Sequence, residues 1–178
     1  AAAVGIVEKM VTAIFIIPST MLATVSALSA QNIGAKNYGR ARTVLKYAVM
    51  ITTLYGIIVT LIVECAAPTL LGLFTKDTTV ILLGVQYISS YIVDTIFAGI
   101  HFGFSGYFAA DGKSYIGFIH NIISISLVRV PGSYIASIMY PHNLFPMGLA
   151  APLGSLLSVI ICLIAYCILK KKDELSVL

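Results

Sequence analysis

Asp94 is the side chain in this sequence best placed to do chemistry. It alone interrupts an uncharged run from Thr78 to Ala110. An ionisable group in such surroundings is costly enough to mark a functional position by default. Tyr87, Ser90, Tyr91, Asp94, His101 and Ser105 recur at spacings of three, four or seven, with the small Ala98 between Asp94 and His101. On a helix of ~3.6 residues per turn they share one face, which should turn to a bundle interior or a water-filled cavity. A carboxylate there can take up and release a proton or Na⁺, and His101 can relay a proton because imidazole titrates near neutrality. Each residue also has a plainer use: a carboxylate that locks helices together, and a histidine satisfied by interior hydrogen bonds.

Arg129 is the natural counterpart of Asp94. It lies about eleven residues from the outer end of its span, and Asp94 about fifteen from the outer end of its own. On antiparallel helices the two are therefore within ~6 Å in depth, a gap that the long arginine stem closes. The spacing predicts that they interact or share a polar network; the alternative is that Arg129 caps carbonyls freed by Pro131. His120 and Asn121 begin the same span and either face that cavity or hydrogen-bond between helices. With Tyr87, Ser90 and Arg129, Asn121 completes the expected polar network, while Tyr91, Phe97 and Tyr134 supply aromatic faces for a substrate cavity.

The remaining polar groups read as architecture. Glu8 and Lys9 point ~100° apart on a helix and do not pair; they and Glu64 are expected to snorkel to the membrane interface. Cys65, Cys162 and Cys167 match no zinc spacing and no CxxC, and read as small core residues. No GxxxxGK[ST], HExxH or GxSxG occurs, so neither an ATPase nor a hydrolase is indicated. The expectation is a non-enzyme with no cofactor beyond a coupling ion, Na⁺ or H⁺. The only metal site the residues suggest is Na⁺ at Asp94.

Such groups must be positioned by membrane helices. Of 178 residues, 59% are hydrophobic and 10% charged, against ~25% charged in soluble domains; the mean hydropathy is +1.00. No charged residue occurs from Met10 to Ala35 or from Val130 to Leu169. A soluble enzyme, a nucleic-acid-binding module and a disordered chain are excluded, and an all-α, multi-pass membrane bundle is indicated. Five spans are expected at about 3–30, 47–74, 79–108, 115–140 and 144–169. Each is long enough to cross ~30 Å of hydrocarbon, and several are long enough to tilt.

Basic residues alternate between the two sides. Lys36, Arg40, Arg42 and Lys46, then Lys113, then Lys170, Lys171 and Lys172 fall on one side, and Lys76 alone on the other. The first loop, the third loop and the C-terminus are therefore expected in the cytoplasm of a plasma (inner) membrane protein. Pro18 and Pro131 should kink their spans, and two glycines, Gly34 and Gly39, should close the first turn. The chain opens Ala1-Ala2-Ala3-Val4 with no Met and no signal-peptide pattern, as if it began within a longer protein.

Several blocks in order resemble the multidrug and toxic compound extrusion (MATE) family. They are Ala1 to Lys9 with Pro18; Gln31-Asn32-Ile33-Gly34-Ala35 through Arg40-Ala41; Tyr91 to Asp94 with Phe104 to Ser114; Leu127 to Pro131 with Ser133-Tyr134; and Gly148 to Leu153. The resemblance implies a partial C-terminal lobe, helices eight to twelve of a twelve-helix fold, partnered by an N-terminal lobe of the same protein. It also implies exchange of Na⁺ or H⁺ for amphipathic or cationic small molecules by alternating access, and it likens Asp94 to an acidic position of the tenth helix in some relatives. Two alternatives stand beside it. One is a lipid-linked oligosaccharide flippase of the same superfamily, which the scarcity of cavity cations disfavours. The other is a non-transporting truncated membrane fragment, whose polar stripe would face lipid.

Overall fold

An apolar stretch in lipid can satisfy its backbone only within itself, as helix. The computed structural model describes residues 2–175, with side chains to residue 171, and no strand occurs among the described residues. Ala1 and the side chain of Lys172, both used above, lie outside them. The elements are α1 (Ala2–Ile14), α2 (Ile16–Gly34), α3 (Tyr38–Gly72), α4 (Thr78–Tyr91), α5 (Asp94–Ala110), α6 (Ser114–Ser124), a π-helical turn (Ile125–Arg129), α7 (Val130–Met139), α8 (Phe145–Gly148) and α9 (Ala150–Leu175). Four helical stretches are each long and apolar enough to cross a membrane: Ala2–Gly34, Tyr38–Gly72, Ser114–Met139 and Phe145–Lys171. The fifth candidate is α4 and α5 together, bent by 41°.

Two boundaries differ from the sequence expectation. The first span runs on to Gly34 and α3 starts at Tyr38, so Arg40, Arg42 and Lys46 occupy the first turns of a helix, not a loop. Asn37 caps that helix by accepting from the Arg40 N–H at 3.3 Å, as short polar side chains do at helix starts. The residue with left-handed backbone at this turn is Lys36, φ 57°, and not Gly34 or Gly39. The turn is held by Asn37 N–H to Asn32 O and Lys36 N–H to Ile33 O, both 2.8 Å, and these bonds impose the conformation that glycine usually supplies.

The prolines act through their neighbours. Pro18 has no N–H for the Ile14 carbonyl one turn back, and the helix breaks at Phe15. The Tyr55 hydroxyl of α3 donates to that carbonyl at 2.9 Å, repairing the ladder from outside. Tyr55→Phe is expected to leave the carbonyl unsatisfied at a cost of about 1–2 kcal/mol, read as a lower Tm in detergent. Pro131 lies within the continuous helical stretch Ser114–Met139, shortly after a π turn. Just before it, Val130 N–H reaches back to Ile125 O and widens the ring into a π turn.

The bundle packs around two apolar clusters. One gathers Val7, Val63, Leu71, Ile88 and Ile92; the other gathers Val25, Leu45, Phe104, Phe108 and Cys162. Between them, small residues admit close helix approach. A Cβ added to Gly99 would sit 2.5 Å from Thr52 Cβ, and one on Gly56 would sit 2.8 Å from the Ile96 backbone. Of the cysteines expected in the core, only Cys162 is buried; Cys65 and Cys167 are exposed. They lie among outward residues such as Leu61, Ile62 and Ile168, where an apolar thiol suits lipid as well as a core.

Candidate functional site

The bend between α4 and α5 positions the central carboxylate. Ile92 and Val93 leave the α pattern, and the Thr95 and Ile96 N–H groups bond Ile92 O and Val93 O at 3.0 and 3.2 Å. Asp94 thereby becomes the first residue of α5, where the positive end of the helix dipole favours an anion. The single stripe expected from the sequence is therefore split. Tyr87, Ser90 and Tyr91 belong to α4, and Asp94, His101 and Ser105 to α5.

Asp94 is fully buried. Arg129 Nη2 donates to its Oδ2 at 3.2 Å and its Oδ1 at 3.5 Å, an ion pair between the middles of two spans. The hydrogen bonds of Arg129 run from Nη2 to Asp94 and Ser155 and not to carbonyls beside Pro131. The same nitrogen donates to Ser155 Oγ of α9 at 2.6 Å. Gly154 makes the room: a Cβ there would lie 2.5 Å from Arg129 Cγ and 3.0 Å from Nε. Gly154→Ala is expected to push the guanidinium off Asp94 and strand the buried carboxylate, read as a lower Tm in detergent.

Beyond Ser155 the polar row continues. The proton of the Ser155 hydroxyl has two acceptors in reach, the Asp94 carboxylate and His101 Nε2 at 3.4 Å. His101 and His120 are both buried, their ring centroids 5.5 Å apart. Ser105 donates to His101 O at 2.8 Å, so its oxygen accepts from His120 Nε2 at 2.9 Å. That fixes the protonated nitrogen of His120 as Nε2. The Nδ1 atoms of both rings have no protein partner. The two histidines line a cavity of about 240 Å³ that also reaches Ser105, Asn121 and, at the α5–α6 turn, Ser114.

On the other side of Arg129 lies a cleft of about 380 Å³ lined by Glu8, Tyr87, Tyr91, Arg129, Ser133 and Met147. Glu8 Oε1 accepts from the Tyr87 hydroxyl at 3.0 Å, and the Tyr87 and Tyr91 rings stand 5.5 Å apart at 56°. The cleft thus combines a carboxylate, two aromatic faces and a guanidinium that is held back by Asp94.

The remaining predicted residues separate from this site. Ser90 donates to Tyr87 O at 3.1 Å and packs on Gly148, a helix-to-helix contact. Phe97 is half-buried and Tyr134 is 66% exposed, and neither lines the cleft. Gln31 is exposed, Asn32 bonds Leu28 O at 2.7 Å, and Gly34 ends α2; these close the first span. Lys9 and Glu64 are exposed. Glu8, expected only to snorkel, is brought to the Tyr87 hydroxyl, and Ser155 and Gly154 carried no signal beyond being small residues in an apolar helix. Among the described residues, no group of three or more His, Cys, Asp or Glu side chains gathers to hold a metal.

A family model described as MatE matches residues 1–135. No curated protein matches the chain. A solved structure titled "Inward-facing conformation of a multidrug resistance MATE family transporter of the MOP superfamily" superposes with a TM-score of 0.83 at 15% sequence identity. The match covers 90% of this chain and 36% of that one: the helices above are folded as in part of a longer transporter.

Proposed function

Because the chain belongs to the MatE family, we propose that it forms the C-terminal lobe, helices eight to twelve, of a cation-coupled antiporter that exports organic cations by alternating access. The single observation that carries this reading is the fully buried Asp94 held by Arg129 beside a carboxylate-bearing aromatic cleft. A flat cation fits such a cleft: its charge is met by Glu8 and its face by Tyr87 and Tyr91, in a volume at the lower end of ligand pockets.

Coupling follows from competition at Asp94. A proton or Na⁺ on the carboxylate offsets the negative charge that holds the Arg129 guanidinium, so the two compete for Asp94. Cation arrival releases Arg129, and Arg129 then has only Ser155 to hold it, at the edge of the cleft. A positive side chain free to enter the cleft repels a cationic substrate, so coupling ion and drug exclude each other by reciprocal linkage. The His101–His120 row offers a proton route from the cavity at the α5–α6 turn toward Ser155 and Asp94. The positive-inside rule places that turn and the end of α9 in the cytoplasm, with the chain in a plasma membrane.

Equilibrium binding of a fluorescent cationic dye to the purified protein tests the reading. Binding should be competed by Na⁺ or by acid, and Glu8→Gln should weaken it about tenfold, the loss of one close charge pair. Dye binding that is indifferent to both cations would overturn it.

A further inference from the structure

The cleft beside Arg129 takes one wall from α8, the single turn (Phe145–Gly148) that opens the last span. Met147 lines the cleft from there, and the turn is fixed to α4 at both ends. At its start the Leu144 N–H donates to Gln86 Oε1 at 3.2 Å. At its end a Cβ added to Gly148 would sit 2.6 Å from Tyr87 O, so the two backbones are in close contact. Helix α4 also carries Tyr87 and Tyr91. The backbone of Met147 therefore keeps a set place relative to both rings.

The other side chains of the cleft have little freedom. Glu8 and Tyr87 hold each other at 3.0 Å, and the Tyr91 ring stands against Tyr87. Arg129 is tied to Asp94 and Ser155. Val130 is branched at Cβ and takes essentially one rotamer on a helix. Ser133 and Ala151 are too short to reshape the space. Met147 differs from all of these. It is half-buried at the edge of the apolar cluster around Ile88. Its side chain is unbranched and polarisable, and it turns about three bonds.

We propose that Met147 sets the range of substrate shapes that the cleft accepts, its thioether re-packing around flat and globular organic cations alike. This rests on the cation-site reading of the cleft and adds to it the residue that governs breadth. Flexible methionine surfaces take dissimilar partners because they can re-pack, whereas a stiff wall rejects any shape that it does not match. Glu8 meets the charge that every cation shares, so discrimination by shape falls to the one wall that can move.

The test is equilibrium binding of two cationic probes, flat ethidium and globular tetraphenylphosphonium, to the purified protein and its variants. Met147→Ile keeps the wall apolar and close to its native volume, a swap that costs little stability, but branches it at Cβ. The ratio of the two Kd values should shift by about tenfold or more from wild type, the scale of a misplaced methylene in an apolar pocket. Met147→Leu, unbranched at Cβ, should move the ratio less. Glu8→Gln should weaken both probes and leave the ratio nearly unchanged, because it acts on charge alone. An unchanged ratio in Met147→Ile, or an equal shift in Met147→Leu, would overturn the proposal and leave the cleft a cation site. Wild-type protein that binds neither probe would instead remove the cation-site reading, and the proposal with it.

Discussion

Asp94→Asn is expected to abolish dye efflux while the amount of protein in the membrane stays within about twofold of wild type. The amide is nearly isosteric with the carboxylate, so the α5 start and its neighbours keep their packing. What it cannot do is bind a proton or Na⁺ in exchange for the guanidinium. The loss therefore falls on coupling and not on folding, and the dye binding that remains at equilibrium should no longer respond to Na⁺ or acid. Efflux assays on cells and membrane immunoblots check the two halves. Wild-type drug resistance in this variant would remove Asp94 from the mechanism.

Arg129→Met is expected to have the larger effect on stability. It strands a carboxylate of zero exposure, and breaking one side of a buried ion pair costs about 3–5 kcal/mol. The lower end applies, because the Arg129 side chain is 29% exposed toward the cleft. Adding Asp94→Asn to Arg129→Met should then recover stability, since the stranded charge is gone. Tm values of the two single variants and the double variant in detergent form the cycle. A coupling below ~0.5 kcal/mol would mean that the two residues are independent. Efflux should be absent in all three.

The pairing was legible from the sequence because it needs only the helix rise and antiparallel neighbours: depth arithmetic brings Asp94 and Arg129 to one level, and the arginine stem closes the rest. Four spans, with the bent α4–α5 pair as a candidate fifth, were legible for the same kind of reason, since apolar length decides them. The bend at Ile92 and Val93 was not, because two β-branched residues carry no breaker signal and the turn is set by tertiary contact, including Thr60 Oγ1 on Ile92 O at 3.4 Å. Lys36 was hidden by the glycines beside it. Glu8 was read as an interfacial charge because its partner Tyr87 lies 79 residues away, a distance over which no periodicity carries information. Ser155 and Gly154 were invisible for a simpler reason: a small residue in a membrane helix is usually a packing contact, and only the arginine lying against them marks these two as part of a site.

The claim that most needs testing is that cation flow through the Asp94 site drives substrate the other way. The direct measurement is movement of a cationic dye in proteoliposomes under an imposed Na⁺ or H⁺ gradient. Dye is expected to move against the direction of cation flow, to stop when an ionophore dissipates the gradient, and not to move with Asp94→Asn. Dye movement at an unchanged rate without any gradient, or in the Asp94→Asn protein, would contradict it.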